Sequence, residues 1–326
     1  MTLVDANKIS DEEKAIIKII AFFDLFDYPL TPLEIWTYQD KKIALEKVIN
    51  ILDNLPKIAR GQGFVYLPAR EAIIISRQKR FNYTQRKLKI ARRFTRLFSN
   101  CTWVEAVFLG NSLGAFNLRD ESDIDFVIIS RPGRLWLTRL YCAGLAALLN
   151  SRPRPRNKRD KICLSFYISS AHLNLDDLQL QPEDPYFFYW LRSLILLYNK
   201  NKTYEKFLRA NNLPFEEDLD EQEVINQPRQ SNQLNLQVNN FFNFLDKTAH
   251  RFQLAIMAPE LKQAANNSVG VVLSDKVLKL YLHDNRQEYL DRYGNKLQQV
   301  FTQNNWVFNL SFCFFITLAS KINFAQ

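Results

Sequence analysis

Two short apolar segments, 103–109 and 124–129, constrain the fold of this chain more than any other feature. Each has the length and the apolar content of a buried β-strand. The first runs into a Gly-Asn-Ser turn, and the second begins beside Asp123 and carries Asp125. Because side chains alternate across a strand, the two carboxylates are predicted to lie on the same face. The pattern therefore predicts two strands with a pair of acids at the start of the second.

A helix and a third strand follow these segments. Residues 134–149 have helical apolar spacing and small residues suited to close packing on a sheet, and 162–168 form the next apolar strand. Between them lies a basic loop broken by prolines, 152–161. Alternating strands and helices are typical of an α/β domain. We predict this domain over 77–180, with a basic helix at its start.

The first 76 residues alternate helical periods with turn signals. Apolar residues at helical spacing predict a helix over 11–26, and Thr31-Pro32-Leu33-Glu34 is a capping box with proline at the first helical position. A third helix is predicted over 44–55, and Gly61-Gln62-Gly63 lies between two short strand segments. Three short helices followed by a hairpin predict a winged-helix module over 1–76.

Beyond His172, apolar residues recur mainly at helical spacing, which predicts helices over 185–199, 203–211, 238–257 and 274–293. We therefore expect a helical domain over 181–296. Its acidic and Gln/Asn-rich part, near 216–236, is predicted to be a flexible linker. The predicted fold class is α+β: an N-terminal winged helix, a small mixed-sheet domain and a helical C-terminal region.

The apolar tail, 297–326, contains an uncharged run from Trp306 to Ala319. A membrane-spanning helix needs about 20 mostly apolar residues, and this run is shorter and is interrupted by Asn309 and Ser311. We therefore expect a buried or partner-covered element rather than a membrane anchor. The four cysteines show neither metal-binding spacing nor a disulfide pattern, and the first residues lack the features of a signal peptide. A cytoplasmic location is therefore expected.

Basic residues are concentrated on both sides of the acid pair. The chain carries 43 Lys and Arg against 34 Asp and Glu, a formal net charge of +9. Most of the excess lies in 57–100 and 151–161, which bracket Asp123 and Asp125. A phosphate-rich substrate near these acids explains this placement. For the basic helix over 77–96, a solvated charged face is the alternative explanation.

The acid pair and the turn before it have the chemistry of a metal–nucleotide site. Two convergent carboxylates are hard oxygen ligands that suit Mg²⁺ carrying nucleotide phosphates, so Asp123 and Asp125 are the predicted metal ligands. Gly110 lets the backbone approach a phosphate, and Ser112 opens a helix whose amide hydrogens can bind the same anion. Two metal ions bridging the attacking and leaving oxygens would promote in-line displacement at an α-phosphate.

The segment 109–126 resembles the signature of the nucleotidyltransferase superfamily related to DNA polymerase β, in which glycine and a small residue precede an Asp-x-Asp pair. Asn111 replaces the second small residue and tolerates the same turn. Segments 26–31 and 273–281 resemble bacterial and archaeal proteins that join a winged helix to such a domain. The resemblance implies transfer of a nucleoside monophosphate from an NTP to a hydroxyl, two Mg²⁺ ions, and triphosphate binding by the turn at 110–112.

The superfamily has a third carboxylate on the strand after the basic loop, but 162–166 contain no acid. Asp160, just before that strand, is the candidate for this catalytic role, and a surface ion pair with Arg156 or Arg159 is its alternative explanation. The weaker substitutes are Glu105, Asp176 and Asp177. Without a third acid, the prediction of nucleotide binding is better supported than the prediction of catalysis. Cys163, on the strand, is predicted to be a buried small side chain.

Two functions of different classes are consistent with these features. The first is a Mg²⁺-dependent nucleotidyltransferase that uses an NTP, with RNA, DNA, a protein or a small molecule as the acceptor. The second is a nucleic-acid-binding regulator with a catalytically impaired, nucleotide-sensing transferase domain. The winged helix, the basic helix and the missing third acid favour the second. A third interpretation is a subunit whose aromatic C-terminal half binds a protein partner. The sequence does not specify the oligomeric state.

Overall fold

The computed structural model describes residues 9–110, 113, 116–214, 225–227, 236–265 and 270–302. Asn111, Ser112, the apolar tail beyond Thr302 and most of the predicted linker lie outside the described residues. Within the described residues the chain has the predicted α+β class, with a mixed sheet. These residues form two compact units, one within 1–71 and 291–326 and the other within 72–290.

The first unit begins with three helices and a hairpin, as the sequence predicts. They are α1 (Asp11–Asp24), α2 (Pro32–Thr37), α3 (Leu45–Asn54), β1 (Ala59–Gly61) and β2 (Phe64–Tyr66). Capping boxes start α1 at Ser10 and α2 at Thr31, and in each the third helical residue is a glutamate that bonds back to the cap. The Asp24 carboxylate is buried at the end of α1, where it accepts hydrogen bonds from Arg70 (2.8 Å) and Lys296 (2.9 Å).

The second unit contains the larger sheet and most of the helices. Its elements in chain order are α4 (Ala72–Ser99), β3 (Val104–Leu109), β4 (Ile124–Ser130), α5 (Leu135–Leu148), β5 (Ile162–Ser169), α6 (Pro185–Arg192), β6 (Ile195–Lys200), α7 (Thr203–Ala210), β7 (Ile225–Gln227), α8 (Leu236–Ile256), α9 (Pro259–Ala264), β8 (Val271–Leu273) and β9 (Val277–Leu280). The last helix, α10 (Arg286–Thr302), starts in this unit and crosses into the first.

The larger sheet has seven described strands in the order β7-β6-β3-β4-β5-β9-β8. β4 pairs in parallel with β5, and β6 with β7, while the other neighbours are antiparallel. The three predicted central strands are thus confirmed, and so are the basic helix as α4 and the helix over 134–149 as α5. This topology places the start of β4 beside the start of β5.

Two helices predicted in the C-terminal region are partly wrong. The predicted helix over 185–199 ends at Arg192, and 195–200 form β6, which pairs with β3. The predicted helix over 274–293 begins only at Arg286, because 277–280 form β9 beside β5. Short apolar runs fit a strand or a helix, and a distant pairing partner decides between them. The sheet therefore continues past residue 180, beyond which a separate helical domain is predicted from the sequence.

Two other predictions in this region have different outcomes. The helices predicted over 203–211 and 238–257 are confirmed as α7 and α8. Within the predicted flexible linker, 225–227 form β7, which pairs in parallel with β6. None of the described helices combines the length and the apolar content needed to cross a bilayer.

The two faces of the sheet pack against different helices. On one face, the buried residues of β3, β4 and β5 contact α4, α5 and α8, with Phe98, Trp136 and Phe126 among the largest side chains. On the other face, they contact α6 and α7 through residues such as Phe187 and Phe207. Because both faces are covered, the central strands are apolar almost throughout, and a polar residue on them is conspicuous.

Candidate functional site

The starts of β4 and β5 bring three potential metal ligands together. Asp123 directly precedes β4, Asp125 is its second residue, and Cys163 lies opposite Asp125 in the parallel ladder. Their carboxylate oxygens and the Cys163 Sγ all lie within 4.8 Å of one another. All three residues are half-buried. The structure thus brings the two predicted metal ligands together and adds a thiol to them.

Strand alternation explains this placement. Ile124 and Phe126 on β4, and Ile162 and Leu164 on β5, are buried in the core beneath α4 and α5. Side chains at the intervening positions therefore project to the opposite face. This orientation keeps the two carboxylates and the thiol out of the core beneath α4 and α5.

Burial and nearby charges set the protonation of the cluster. Burial raises the pKa of Asp123, and the positive charges of Lys158 and Lys87 oppose this effect. Burial also raises the pKa of the Cys163 thiol, and the charge of Asp125 raises it further. The Cys163 Sγ lies 3.0 Å from the Ser165 Oγ, which is two residues further along β5.

A buried lysine fixes the loops that lead to the cluster. Lys87 on α4 is fully buried, and its Nζ donates to the Asp120 carbonyl (3.0 Å), the Ser122 carbonyl (2.5 Å) and the Asp160 carboxylate (2.8 Å). These acceptors belong to the segments just before β4 and just before β5. Lys87 thereby fixes the segments that lead into β4 and β5, and with them the position of Asp123.

Asp160 is not part of the cluster. Its carboxylate accepts hydrogen bonds from the Lys87 Nζ at 2.8 Å and from the Arg86 Nη2 at 3.0 Å. Burial would raise the pKa of Asp160, but the hydrogen bonds from these two cations outweigh it and hold the pKa below its ordinary value. Arg159 pairs instead with Asp120 at 3.1 Å. The ion pair of Asp160 is therefore made with α4 rather than with the arginines of its own loop.

The weaker substitutes for a third carboxylate also lie elsewhere. Glu105 is buried on β3, 3.9 Å from the Arg131 Nε, and Asp177 pairs with His172 at 3.1 Å. Asp176 accepts hydrogen bonds from Asn174 and Gln179. Among the described residues, the cluster of potential metal ligands contains only the two predicted acids and Cys163.

Gly110 has a packing role in the described structure. Its N–H donates to the Asp125 carbonyl at 2.8 Å, and its carbonyl accepts from the Trp190 Nε1 at 2.7 Å. A Cβ at this position would lie 2.8 Å from the Val127 Cγ2. The glycine is therefore required for close approach of β3 and β4, and its amide hydrogen is already bonded. Triphosphate binding by Asn111 and Ser112 stays a prediction, since both lie outside the described residues.

Sequence reasoning missed the polar groups that β9 and the residue after it add to this face. Lys279 is buried, and burial together with the charge of Arg286 lowers its pKa to about 8, although Asp284 lies 3.2 Å from its Nζ. Burial and the nearby charges of Asp125 and Cys163 raise the pKa of Tyr281. The only sequence signal for this part of the site is the resemblance noted for 273–281.

A row of exposed cations runs along α4. Four of its basic residues form no ion pair within the described part of the chain: Lys79, Lys89, Arg93 and Arg96. They fall on one side of the helix, as does Arg86, which bonds to Asp120 and Asp160 beside the cluster. We call these four residues the α4 basic row. It spans about 25 Å of helix, with Arg86 between Lys79 and Lys89.

The donor set determines which metal chemistry the cluster supports. Two carboxylates can hold one Mg²⁺ ion whose other positions are filled by phosphate oxygens and water. A thiol is a poor ligand for Mg²⁺. Two Mg²⁺ ions would need three carboxylates, and the cluster in the described residues has two carboxylates and a thiol.

No family model, curated protein or solved structure matches the chain.

Proposed function

We propose that the chain is a divalent-metal-dependent nucleotidyltransferase that moves a nucleoside monophosphate from an NTP to a hydroxyl acceptor. The observation that carries the proposal is the convergence of the Asp123 and Asp125 carboxylates at the start of β4. Gly110, which directly follows β3, lies beside them, since its N–H is bonded to the Asp125 carbonyl. Asp123 and Asp125 would hold Mg²⁺, and the ion supplies charge neutralisation at the phosphates when it is bound.

The protein groups around the cluster have roles consistent with this reaction. Asn111 and Ser112 would bind the triphosphate through backbone N–H groups and a hydroxyl. The basic loop before β5 supplies positive charge, and Lys158 in this loop is close enough to oppose the rise in the pKa of Asp123. Lys87 would keep the carboxylates in place by fixing the segments that lead into β4 and β5. The arrangement favours binding of a polyanionic substrate with its phosphates at the acids.

Within this proposal, the second unit is the nucleotidyltransferase domain and the start of the first unit is a winged helix. Three helices followed by a two-stranded hairpin support the winged-helix interpretation. An antiparallel β3–β4 pair with the acids at the start of β4, and a parallel strand beside it, support the transferase interpretation.

A second candidate function is favoured by Cys163. It lies opposite Asp125 on the strand where the superfamily has its third carboxylate. In that case, the domain would bind a nucleotide without transferring it, and the protein would be a nucleic-acid-binding regulator. The α4 basic row supports binding of a nucleic acid in either case, as an acceptor or as a regulatory target.

Transfer of label from an NTP labelled on the α-phosphate tests the proposal. We expect the wild-type chain to label an acceptor present in a cell extract of small molecules, RNA and protein, in the presence of Mg²⁺ or Mn²⁺. Asp125→Ala should reduce this transfer by at least about a hundredfold, because the carboxylate that holds the metal is lost. Asp40→Ala, at an exposed carboxylate of the first unit, is the matched control and should transfer as well as wild type.

Nucleotide binding, measured by calorimetry, separates the two candidates. Binding together with transfer supports the transferase. Binding that needs Asp125 but is accompanied by no transfer favours the regulator. Transfer that persists unchanged in Asp125→Ala would contradict the assignment of the site.

A further inference from the structure

Cys163 gives the cluster a donor that does not belong in a magnesium site. Its Sγ lies with the carboxylate oxygens of Asp123 and Asp125 in a group whose members are all within 4.8 Å of one another. Metal–sulfur and metal–oxygen bonds are about 2.0–2.3 Å long, so small side-chain rotations would bring all three donors onto one ion. Asp160, the acid nearest to Cys163 in sequence, is bonded to Arg86 and Lys87 instead.

Two of the three donors lie on paired strands, and Asp123 directly precedes β4. Asp125 and Cys163 are directly opposite in the parallel β4–β5 ladder, and their neighbours Ile124 and Ile162 are fully buried. The Ser165 Oγ lies 3.0 Å from the Cys163 Sγ and adds a hydrogen-bond contact to it. A site on paired strands keeps its geometry without a bound ion, which favours metal binding over collapse of the side chains.

Sulfur and oxygen donors differ in the ions that they select. Carboxylates suit Mg²⁺, Ca²⁺ and Mn²⁺, whereas thiolates select softer ions such as Zn²⁺. The superfamily resemblance implies an all-carboxylate site for Mg²⁺, and the Asp-Asp-Cys set does not fit it. The disagreement concerns the identity of the ion rather than the presence of a site.

We propose that Asp123, Asp125 and Cys163 bind one thiol-preferring divalent transition-metal ion, of the class of Zn²⁺ and Co²⁺, more tightly than Mg²⁺. When the Cys163 Sγ bonds to the ion, the thiol proton is released to solvent. The proposal rests on the proposed function only in that the nucleotide phosphates would meet the same two carboxylates. It therefore refines which metal–nucleotide complex the site would accept.

The test is a Co²⁺ titration of the reduced, metal-free, 326-residue chain without nucleotide. We expect a sulfur-to-cobalt charge-transfer band in the near ultraviolet, which Zn²⁺ abolishes and a large excess of Mg²⁺ leaves unchanged. Cys163→Ser should lose the band and bind Co²⁺ at least about tenfold more weakly. Cys142→Ala is the matched control, because Cys142 is buried in the core on the opposite face. It should keep the band.

Cys163→Asp supplies a second measurement, which does not depend on the behaviour of the serine variant. It gives the site an all-oxygen donor set, so this variant should bind Mg²⁺ more tightly than wild type does. Circular dichroism confirms that the variant is folded. A wild-type titration without the band, a band that persists in Cys163→Ser, or displacement of Co²⁺ by an equal concentration of Mg²⁺ would overturn the proposal. Because no nucleotide is present, failure of the transferase assay leaves this result standing.

Discussion

Gly110 shows at the scale of one residue how the sequence determines the shape of the site. The amide N–H and the carbonyl of Gly110 are both bonded, to Asp125 and Trp190 respectively. The absence of a side chain lets β3 approach Val127 on β4, where any Cβ would be too close. The same glycine is expected from the sequence to serve phosphate approach, but strand packing already requires it. Its replacement should therefore lower stability whether or not a nucleotide binds.

We expect Gly110→Ala to lower the free energy of unfolding by about 1–3 kcal/mol, because the new Cβ would lie 2.8 Å from the Val127 Cγ2. Urea unfolding followed by circular dichroism measures the change. The matched control is Gly144→Ala on α5, where a Cβ meets no atom within 4 Å and should stabilise the helix by up to about 1 kcal/mol. Adding Val127→Ala to Gly110→Ala should recover part of the loss. Equal stability of Gly110→Ala and wild type would contradict the packing role.

At the scale of an element, the segment between β9 and α10 connects the sheet to α6 and α10. Arg286, the first residue of α10, bonds to Asp284 (2.7 Å) and to the Leu178 carbonyl (2.8 Å). It also lies 3.4 Å from Asp184, whose side chain caps α6. The network fixes the end of β9, and with it Lys279 and Tyr281, on the face that carries Asp125 and Cys163. Its contribution to stability should depend on pH through Asp284.

Arg286 and Lys279 lower the pKa of Asp284 to about 2, against the effect of burial, which would raise it. Because the folded-state pKa is below the ordinary value of 3.8, the stabilisation is present above about pH 4 and is lost as the pH falls towards 2. Asp284→Asn should therefore be less stable than wild type by about 2 kcal/mol near neutral pH, and this difference should shrink below about pH 4. Urea unfolding across this range measures it.

Asp40→Asn, an exposed carboxylate of the first unit, controls for the loss of one negative charge. Its difference from wild type should stay close to zero at every pH. If the difference between wild type and Asp284→Asn were independent of pH, the carboxylate would not be stabilised by its two cations.

At the scale of the whole molecule, the net charge of +9 is unevenly distributed. α4 carries nine basic residues and no acid. Arg86 and Lys87 bind the loops at the site, whereas the α4 basic row faces solvent. A row of exposed cations on both sides of Arg86, which bonds to the segments beside the acid pair, is suited to binding a polyanion.

We expect Lys89→Glu/Arg93→Glu to weaken binding of single-stranded RNA by about tenfold or more at low salt and to reduce its salt dependence, because two cations of the α4 basic row are reversed. Fluorescence anisotropy over a salt series measures both quantities. Lys206→Glu/Lys262→Glu makes the same charge change at exposed positions on α7 and α9 and should have a smaller effect. Equal loss in both variants would show that only net charge matters, and that the row is a solvated face.

Local patterns were sufficient to predict much of this architecture. The capping box at Thr31, the glycine hairpin at 61–63 and the apolar segments that became β3, β4 and β5 all depend on residues close together in sequence. The face shared by Asp123 and Asp125 follows from strand alternation alone. β6 and β9 could not be predicted in this way, since each is a short apolar run whose state is decided by pairing with β3 or β5.

The sequence by itself determined that two acids meet at the start of β4, because alternation within one strand is a local property of the chain. Only the tertiary structure decided what stands beside them. The parallel register of β4 and β5 places Cys163 opposite Asp125. The packing of α4 pairs Asp160 with Arg86 and Lys87 rather than with the cluster. Register and helix packing depend on contacts between residues far apart in the chain, and spacing along the sequence does not encode them.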